Sequence, residues 1–313
     1  LFNFIQGYYC MKNVLVIVLA LACNALNAQT IGIDITRFIG SDTDCYTTAY
    51  SAIPTSDGGI LFVGLTNCYS GGGDIPPNFP DTAWAPPFGN VVIGKLDNNM
   101  HVSWVRVYGG NRFDGASSAV QTPDGGYAVL GTTESNNGNV SGNHGFGVGD
   151  LWLLRLDASG NLLWQKCYGS VYDEQSGPIA LTADNGFIMF GRSNGMGGDV
   201  PNHYSGSQFD YDWFVLKTDD TGHIQWAKSI GGLGDEDGGG SILVADDGYY
   251  LISSSTSTDY DCVDTAWHAG SPCGGYHYNM FKLDMAGNIL WNKSYGGCSG
   301  EVAHSAILDN RDS

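Results

Sequence analysis

The chain has 313 residues, 46 of them Gly, and its 32 acidic residues divide into 28 Asp and 4 Glu against 13 Lys plus Arg. Asp and Gly favour turns whereas Glu, Lys and Arg favour helix interiors, which excludes a helical bundle or a doubly wound α/β fold. A formal net charge of −19 excludes a nucleic-acid partner, while 42% hydrophobic and 12% aromatic residues are enough to fill a core.

In chain order, residues 1–10 read as an upstream leader and 11–28 as a signal peptide. Met11-Lys12 is a short basic start, Val14 to Ala22 an uncharged apolar run, and Ala28-Gln29 a cleavage site. That run is shorter than the roughly 20 residues of a membrane helix. The mature chain is therefore expected to lack a transmembrane span and to be secreted or held at the cell surface. Ala20-Leu21-Ala22-Cys23 is a weaker match to a lipoprotein cleavage box. Export removes Cys10 and Cys23 and leaves 6 of the 8 cysteines in an oxidising compartment. Cys262 with Cys273, which share a loop, is the first expected disulfide, and Cys45 with Cys68 the second.

From residue 29 onward the sequence repeats. Trp104, Trp164, Trp226 and Trp291 recur at spacings of 60, 62 and 65 residues. Each follows a turn: Asp97-Asn98-Asn99, Asp157-Ala158-Ser159-Gly160, Asp219-Asp220-Thr221-Gly222 and Asp284-Met285-Ala286-Gly287. A second turn recurs in step, with its Asp at Asp57, Asp124, Asp184 and Asp246. The unit reads as four antiparallel strands. Ser118 to Thr122 and Tyr127 to Thr133 flank one hairpin, a long loop follows, and Asp150 to Asp157 and Leu162 to Tyr168 flank another. Four such strands per unit, without helices, predict an all-β β-propeller. Its blades are expected at about 40–110, 111–170, 171–232 and 233–297, with a partial fifth at 298–313, so an incomplete ring is expected. The four Trp residues should wedge between blades. The recurring bases Lys95, Arg155, Lys217 and Lys282, and Arg106, Lys166, Lys228 and Lys293, should cover Trp faces and pair with hairpin Asp residues.

A meander of this kind puts its tight hairpins on one face and its long loops and interblade links on the other. Binding sites gather on long loops over rigid scaffolds, and the acid left over from the turns should lie on that face. The candidates there are Asp173, Glu174, Asp210, Asp235, Glu236, Asp237, Trp84, His203, Trp267 and His268. No cofactor is expected. Clustered carboxylates could hold calcium, but no segment matches an EF-hand loop and the pattern favours turn capping. His-Glu-x-x-His, Gly-x-Ser-x-Gly and Walker signatures are absent, and no metal site is expected. The leading expectation is a non-enzymatic binding or scaffold module for extracellular protein or glycan. The alternative is a glycan-active hydrolase or lyase, or a quinoprotein-like enzyme, working through loop carboxylates.

The run from Asp150-Leu151-Trp152 through Leu156-Asp157-Ala158-Ser159-Gly160 to Trp164, closed by Tyr168-Gly169, resembles the propeller-type repeats of secreted Bacteroidetes proteins. Many of those proteins carry a C-terminal type IX secretion sorting domain. The resemblance covers roughly residues 31–313 and implies a propeller and type IX export, with no catalytic residues to carry over. It is not accompanied by a sorting domain in this sequence, which reads as a fragment. Quinoprotein tryptophan-docking motifs, sialidase Asp-boxes and Kelch repeats share the order of features, which reflects architecture rather than activity.

Overall fold

Two kinds of turn, each closed by an aspartate, generate the same four-stranded unit four times. The computed structural model describes residues 14–18, 36–40, 45–68, 71–77, 89–145, 147–204, 207, 209–237, 240–257, 259–262, 276–296, 300–303 and 305–307. β1 (Val14–Val18), within the expected export signal, pairs antiparallel with β2 (Thr36–Gly40). The first four-stranded sheet is β3 (Thr47–Pro54), β4 (Ile60–Thr66), β5 (Asn90–Leu96) and β6 (Val102–Tyr108). The second is β7 (Asp114–Gln121), β8 (Tyr127–Thr133), β9 (Asp150–Leu156) and β10 (Leu162–Tyr168). The third is β11 (Glu174–Leu181), β12 (Phe187–Ser193), β13 (Asp212–Thr218) and β14 (Ile224–Ile230). The fourth is β15 (Ser241–Ala245), β16 (Gly248–Ser255), β17 (His277–Leu283) and β18 (Ile289–Tyr295). All neighbours within these sheets are antiparallel, and the first strands of successive sheets pack side by side. Among the described residues no helix is long and apolar enough to cross a membrane.

The first hairpin of a unit is held by one carboxylate doing three jobs. Thr55, Thr122 and Thr182 donate their hydroxyls to Asp57, Asp124 and Asp184, and the amides of Gly59, Gly126 and Gly186 donate to the same oxygens at 3.0, 3.1 and 3.2 Å. The third-strand base then closes on that Asp: Lys95 on Asp57 at 2.9 Å, Arg155 on Asp124 at 2.5 Å and Lys217 on Asp184 at 2.9 Å. Buried stems thus end on a fixed counter-charge, which allows long cationic side chains inside a sheet. The fourth unit corrects the expectation by one residue. There Lys282 reaches Asp247, not Asp246, at 2.5 Å. Ala245 pairs directly with Gly248, so this turn is shorter than the Thr-to-Gly loop of the other three.

Packing between sheets explains why β4, β5, β9 and β13 are buried along their whole length instead of alternating. Leu61, Val63, Val91 and Ile93 of the first sheet share a core with Tyr127, Val129, Trp152 and Leu154 of the second. The opposite face of the second sheet shares another with the third, and the third with the fourth. Of the four repeated tryptophans, Trp104, Trp164 and Trp226 sit across these junctions, whereas Trp291 of the fourth sheet is exposed. A Cβ added to Gly160 would lie 2.8 Å from the Trp104 ring, one on Gly222 2.9 Å from Trp164, and one on Gly287 2.9 Å from Trp226. Tyr108 donates its hydroxyl to the Gly160 carbonyl, and Tyr168 to that of Gly222 at 2.7 Å. Arg106 stands over the Trp104 ring and donates to the Ser159 carbonyl of the next sheet at 3.1 Å.

Gly160→Ala therefore meets two obstacles, a positive φ of 78° and the indole. Gly125→Ala meets only one, because at φ 82° nothing lies within 4 Å of its added Cβ. Gly160→Ala is expected to cost about 2–4 kcal/mol and Gly125→Ala about 1–2 kcal/mol. Urea denaturation of both variants checks this, and equal losses would mean that the indole contact contributes nothing.

Candidate functional site

The first strands do not run straight. β3, β7 and β11 each carry a register break against their neighbour, between Ala49 and Ser51, Ala116 and Ser118, and Ser176 and Ile179. A bulge leaves residues outside the ladder and turns them aside. The residues set out in this way, Tyr50, Ser117 and Gly177-Pro178, all line one cavity of about 430 Å³ between the first strands. Gln175, Arg192, Asp237 and Gly240 complete part of its wall, so the first three sheets and the link into the fourth contribute to it.

Its polar end is built from the starts of first strands and the end of β12, which is the side of the long connections. The Arg192 guanidinium lies 4.4 Å from the centre of the Tyr211 ring and donates to Gln175 Oε1 from Nη2 at 2.8 Å. It faces Asp237 at 3.8 Å. Gln175 passes the chain on, donating to Asp173 Oδ2 at 2.9 Å, an oxygen that also accepts from the Tyr211 hydroxyl at 2.7 Å. Tyr50 is 58% exposed and supplies an aromatic ring. The arrangement offers hydroxyl, amide and guanidinium groups beside one accessible ring.

The other predicted candidates are distributed differently. Asp235 accepts from the Tyr211 amide at 3.0 Å and from the Tyr276 hydroxyl, and so braces the links. Asp210 lies in the β12–β13 connection and does not line the cavity. His203 Nδ1 stands 2.8 Å from Asp212 Oδ2, its Nε2 is 3.2 Å from the Ser207 carbonyl oxygen, and it does not line the cavity. Trp84, Trp267, His268 and Cys273 lie outside the described residues. Cys45 and Cys68 form a disulfide. Cys262 does not match its expectation, because its thiol is free, buried and packed 3.8 Å from the Ser255 hydroxyl rather than bridged to Cys273. No group of three or more His, Cys, Asp or Glu among the described residues could hold a metal.

Glu174 and Glu236 correct the expectation of a ligand-facing position, since both are fully buried. Each is half of a carboxyl pair at a link between sheets. A Cβ added to Gly231 would lie 2.0 Å from Asp212 Oδ1 and 2.8 Å from Glu236 Oε2. Neither oxygen has another partner among the described residues, and one shared proton would satisfy both. Gly169 separates Asp150 from Glu174 in the same way, and Gly109 separates Asn90 from Asp114. Burial raises Asp212 and Glu236, pushes Glu174 up to about 7 and Asp114 up to about 6. Sequence could have flagged these acids, because each link Asp or Glu recurs four residues after a closing small residue at 110, 170, 232 and 297. It could not reveal that they point inward.

Glu174 ordinarily titrates at 4.5 and in the folded chain at about 7, so between those values the native state holds more protons than the unfolded one. Its contribution is complete below pH 4.5 and lost as pH rises to about 7. The melting temperature should fall across that window, and Glu174→Gln should flatten the fall. Calorimetry at a series of pH values reads both, and an unchanged slope in Glu174→Gln would refute the assignment.

No known family model matches the chain, and no curated protein matches its sequence. Among solved structures it is similar to a Bacteroides caccae protein of unknown function, at 11% identity and a TM-score of 0.32, covering 96% of this chain and 100% of that one. It is also similar to a candidate glycoside hydrolase from Parabacteroides distasonis, at 12% identity and a TM-score of 0.36, covering 78% of this chain and 72% of that one. Likenesses this remote leave the chemistry of the cavity to be read from its own residues.

Proposed function

We propose that the four sheets are blades of a β-propeller and that the chain is a secreted or cell-surface binding module, non-enzymatic, taking a glycan at the long-connection end of the inner cavity. The observation that supports this reading is the convergence of bulged first strands on one polar cavity with Arg192, Gln175 and Asp237 at its end. A sugar presents hydroxyl edges and an apolar C–H face, and the cavity offers amide and guanidinium partners for the first and the Tyr50 ring for the second. Arg192 already faces Asp237, so a neutral polyhydroxyl ligand fits better than a strongly charged one. Binding is favoured over hydrolysis by the count of carboxylates. Asp237 is the one carboxylate among the described lining residues, whereas glycoside cleavage uses two facing the scissile bond.

The test is a glycan array with the full chain, followed by titration calorimetry on any hit. Tyr50→Ala and Arg192→Ala should each weaken binding about tenfold or more, equivalent to about 1.4 kcal/mol. Tyr50→Ala should leave the melting temperature unchanged. Undiminished binding in both variants would remove the cavity from the reading, capture of protein ligands only would replace the glycan, and release of reducing sugar would favour the hydrolase.

A further inference from the structure

The fourth sheet presents a face that is covered in the other sheets. In the third sheet that face carries Ile188, Phe190, Trp213 and Val215, exposed by 0, 0, 1 and 0%, because the fourth sheet lies on it. The matching positions of the fourth sheet follow from register: Tyr250 pairs with Lys282 and Lys282 with Trp291, Ile252 with Met280 and Met280 with Lys293, Tyr278 with Tyr295. There Tyr250, Ile252 and Met280 are only partly buried, and Tyr278, Trp291 and Tyr295 are 37, 36 and 50% exposed. The tryptophan and tyrosine that lock onto the next sheet at the first two junctions are therefore present here without, among the described residues, a glycine turn that receives them.

The first sheet is not built to supply that turn. Where the other three units have Gly160, Gly222 and Gly287, it has Met100, held at a positive φ of 65°. Glycine at this position leaves no more than 2.8–2.9 Å between its absent Cβ and the indole, so a methionine side chain excludes one. Met100 instead packs with Ile60, Phe62 and Val92, beside Cys68 and Ile75, and covers its own sheet's outer face. A second copy of the chain fails on the same ground, because its three glycine turns already carry indoles. Meanwhile Glu301 repeats the anchor of a new unit. Its amide donates to the Tyr276 carbonyl at 2.9 Å, as Asp114, Glu174 and Glu236 donate to those of Gly89, Gly149 and Tyr211 at 2.8, 2.7 and 2.8 Å.

We propose that the face bearing Trp291 and Tyr295 is a docking surface for one further unit of this kind, entering at Glu301 and seating its turn glycine on the Trp291 ring. The surface continues the three existing junctions, and the proposal does not depend on the ligand of the cavity.

Two experiments decide it. In the full chain, Trp226→Ala should lower the melting temperature by several degrees and Trp291→Ala should leave it unchanged. The chain through Gly300 is then continued with a copy of residues 174–235, which carries Gly222, and hydrogen exchange is followed in β18. Exchange there should slow at least about tenfold, and the same copy with Gly222→Met should leave it fast. An appended unit that stays unfolded, or one that protects β18 equally with Met, would overturn the proposal. So would a full chain in which β18 is already as protected as β14 or Trp291→Ala as harmful as Trp226→Ala. Light scattering would then tell whether a second copy or the first sheet covers the face.

Discussion

An indole on the last strand of one sheet can reach the turn of the next only if that turn has no Cβ. The 2.8–2.9 Å that separate a hypothetical Cβ from Trp104, Trp164 and Trp226 leave room for hydrogen alone. Once the ring is seated, its sheet is held at the distance that lets Tyr108 or Tyr168 bond the same glycine's carbonyl. That distance in turn lets whole strands such as β9 and β13 be buried on both faces, since each face has a neighbouring sheet to lie against. Such strands would be an aggregation hazard in an isolated sheet. The spacing of about 60 residues is therefore the length of chain needed to return to the same contact.

The links between sheets obey a second constraint of the same type. Gly109, Gly169 and Gly231 lack a side chain because two carboxyl or amide groups occupy the space it would take. These buried groups fix where β7, β11 and β15 begin, and in β7 and β11 the bulge a few residues later fixes what turns toward the cavity. Ser117 and Gly177-Pro178 reach one cavity because the links before β7 and β11 and the bulges that follow them are placed alike, and Tyr50 reaches it from the matching bulge of β3. The acids that look most functional in the sequence therefore position the site from behind, and the groups that face it are largely neutral.

Turns were legible in the sequence because their chemistry is local. Asp57, Asp124 and Asp184 lie within two residues of the Thr and Gly they bond, and Gly160, Gly222 and Gly287 lie three residues after the Asp whose carbonyl accepts their amide. The junction tryptophans were legible because a large ring recurring in one register has few other uses. The inner surface was not, since Ser117 and Gln175 carry no pattern, and a bulge depends on pairing between strands. Asp246 was misplaced because removing the Thr from a turn shortens it and moves the bonding carboxylate to Asp247. Cys262 was misread because proximity in sequence says nothing of direction, and its thiol points to Ser255 and Glu236.

The same directions change the meaning of the net charge. A formal −19 counts every carboxyl as ionised and assigns the excess to whatever face holds the acids. Asp57, Asp124, Asp184 and Asp247 are balanced by buried bases, and Asp114, Asp150, Glu174, Asp212 and Glu236 are raised by burial toward the neutral form. Asp97, Asp157, Asp219 and Asp284 remain charged in the second hairpins, each accepting two amides of its own turn. Those hairpins project on the face opposite the long connections. The expected concentration of charge on the long-connection face therefore does not follow from the count. Once the link acids are placed inside, the charged groups around the mouth of the cavity are Arg192, facing Asp237 at 3.8 Å, with Asp173 and Asp235 held by Gln175, Tyr211 and Tyr276. The neutral glycan proposed for this end of the cavity would be selected by hydrogen bonds and by the Tyr50 ring.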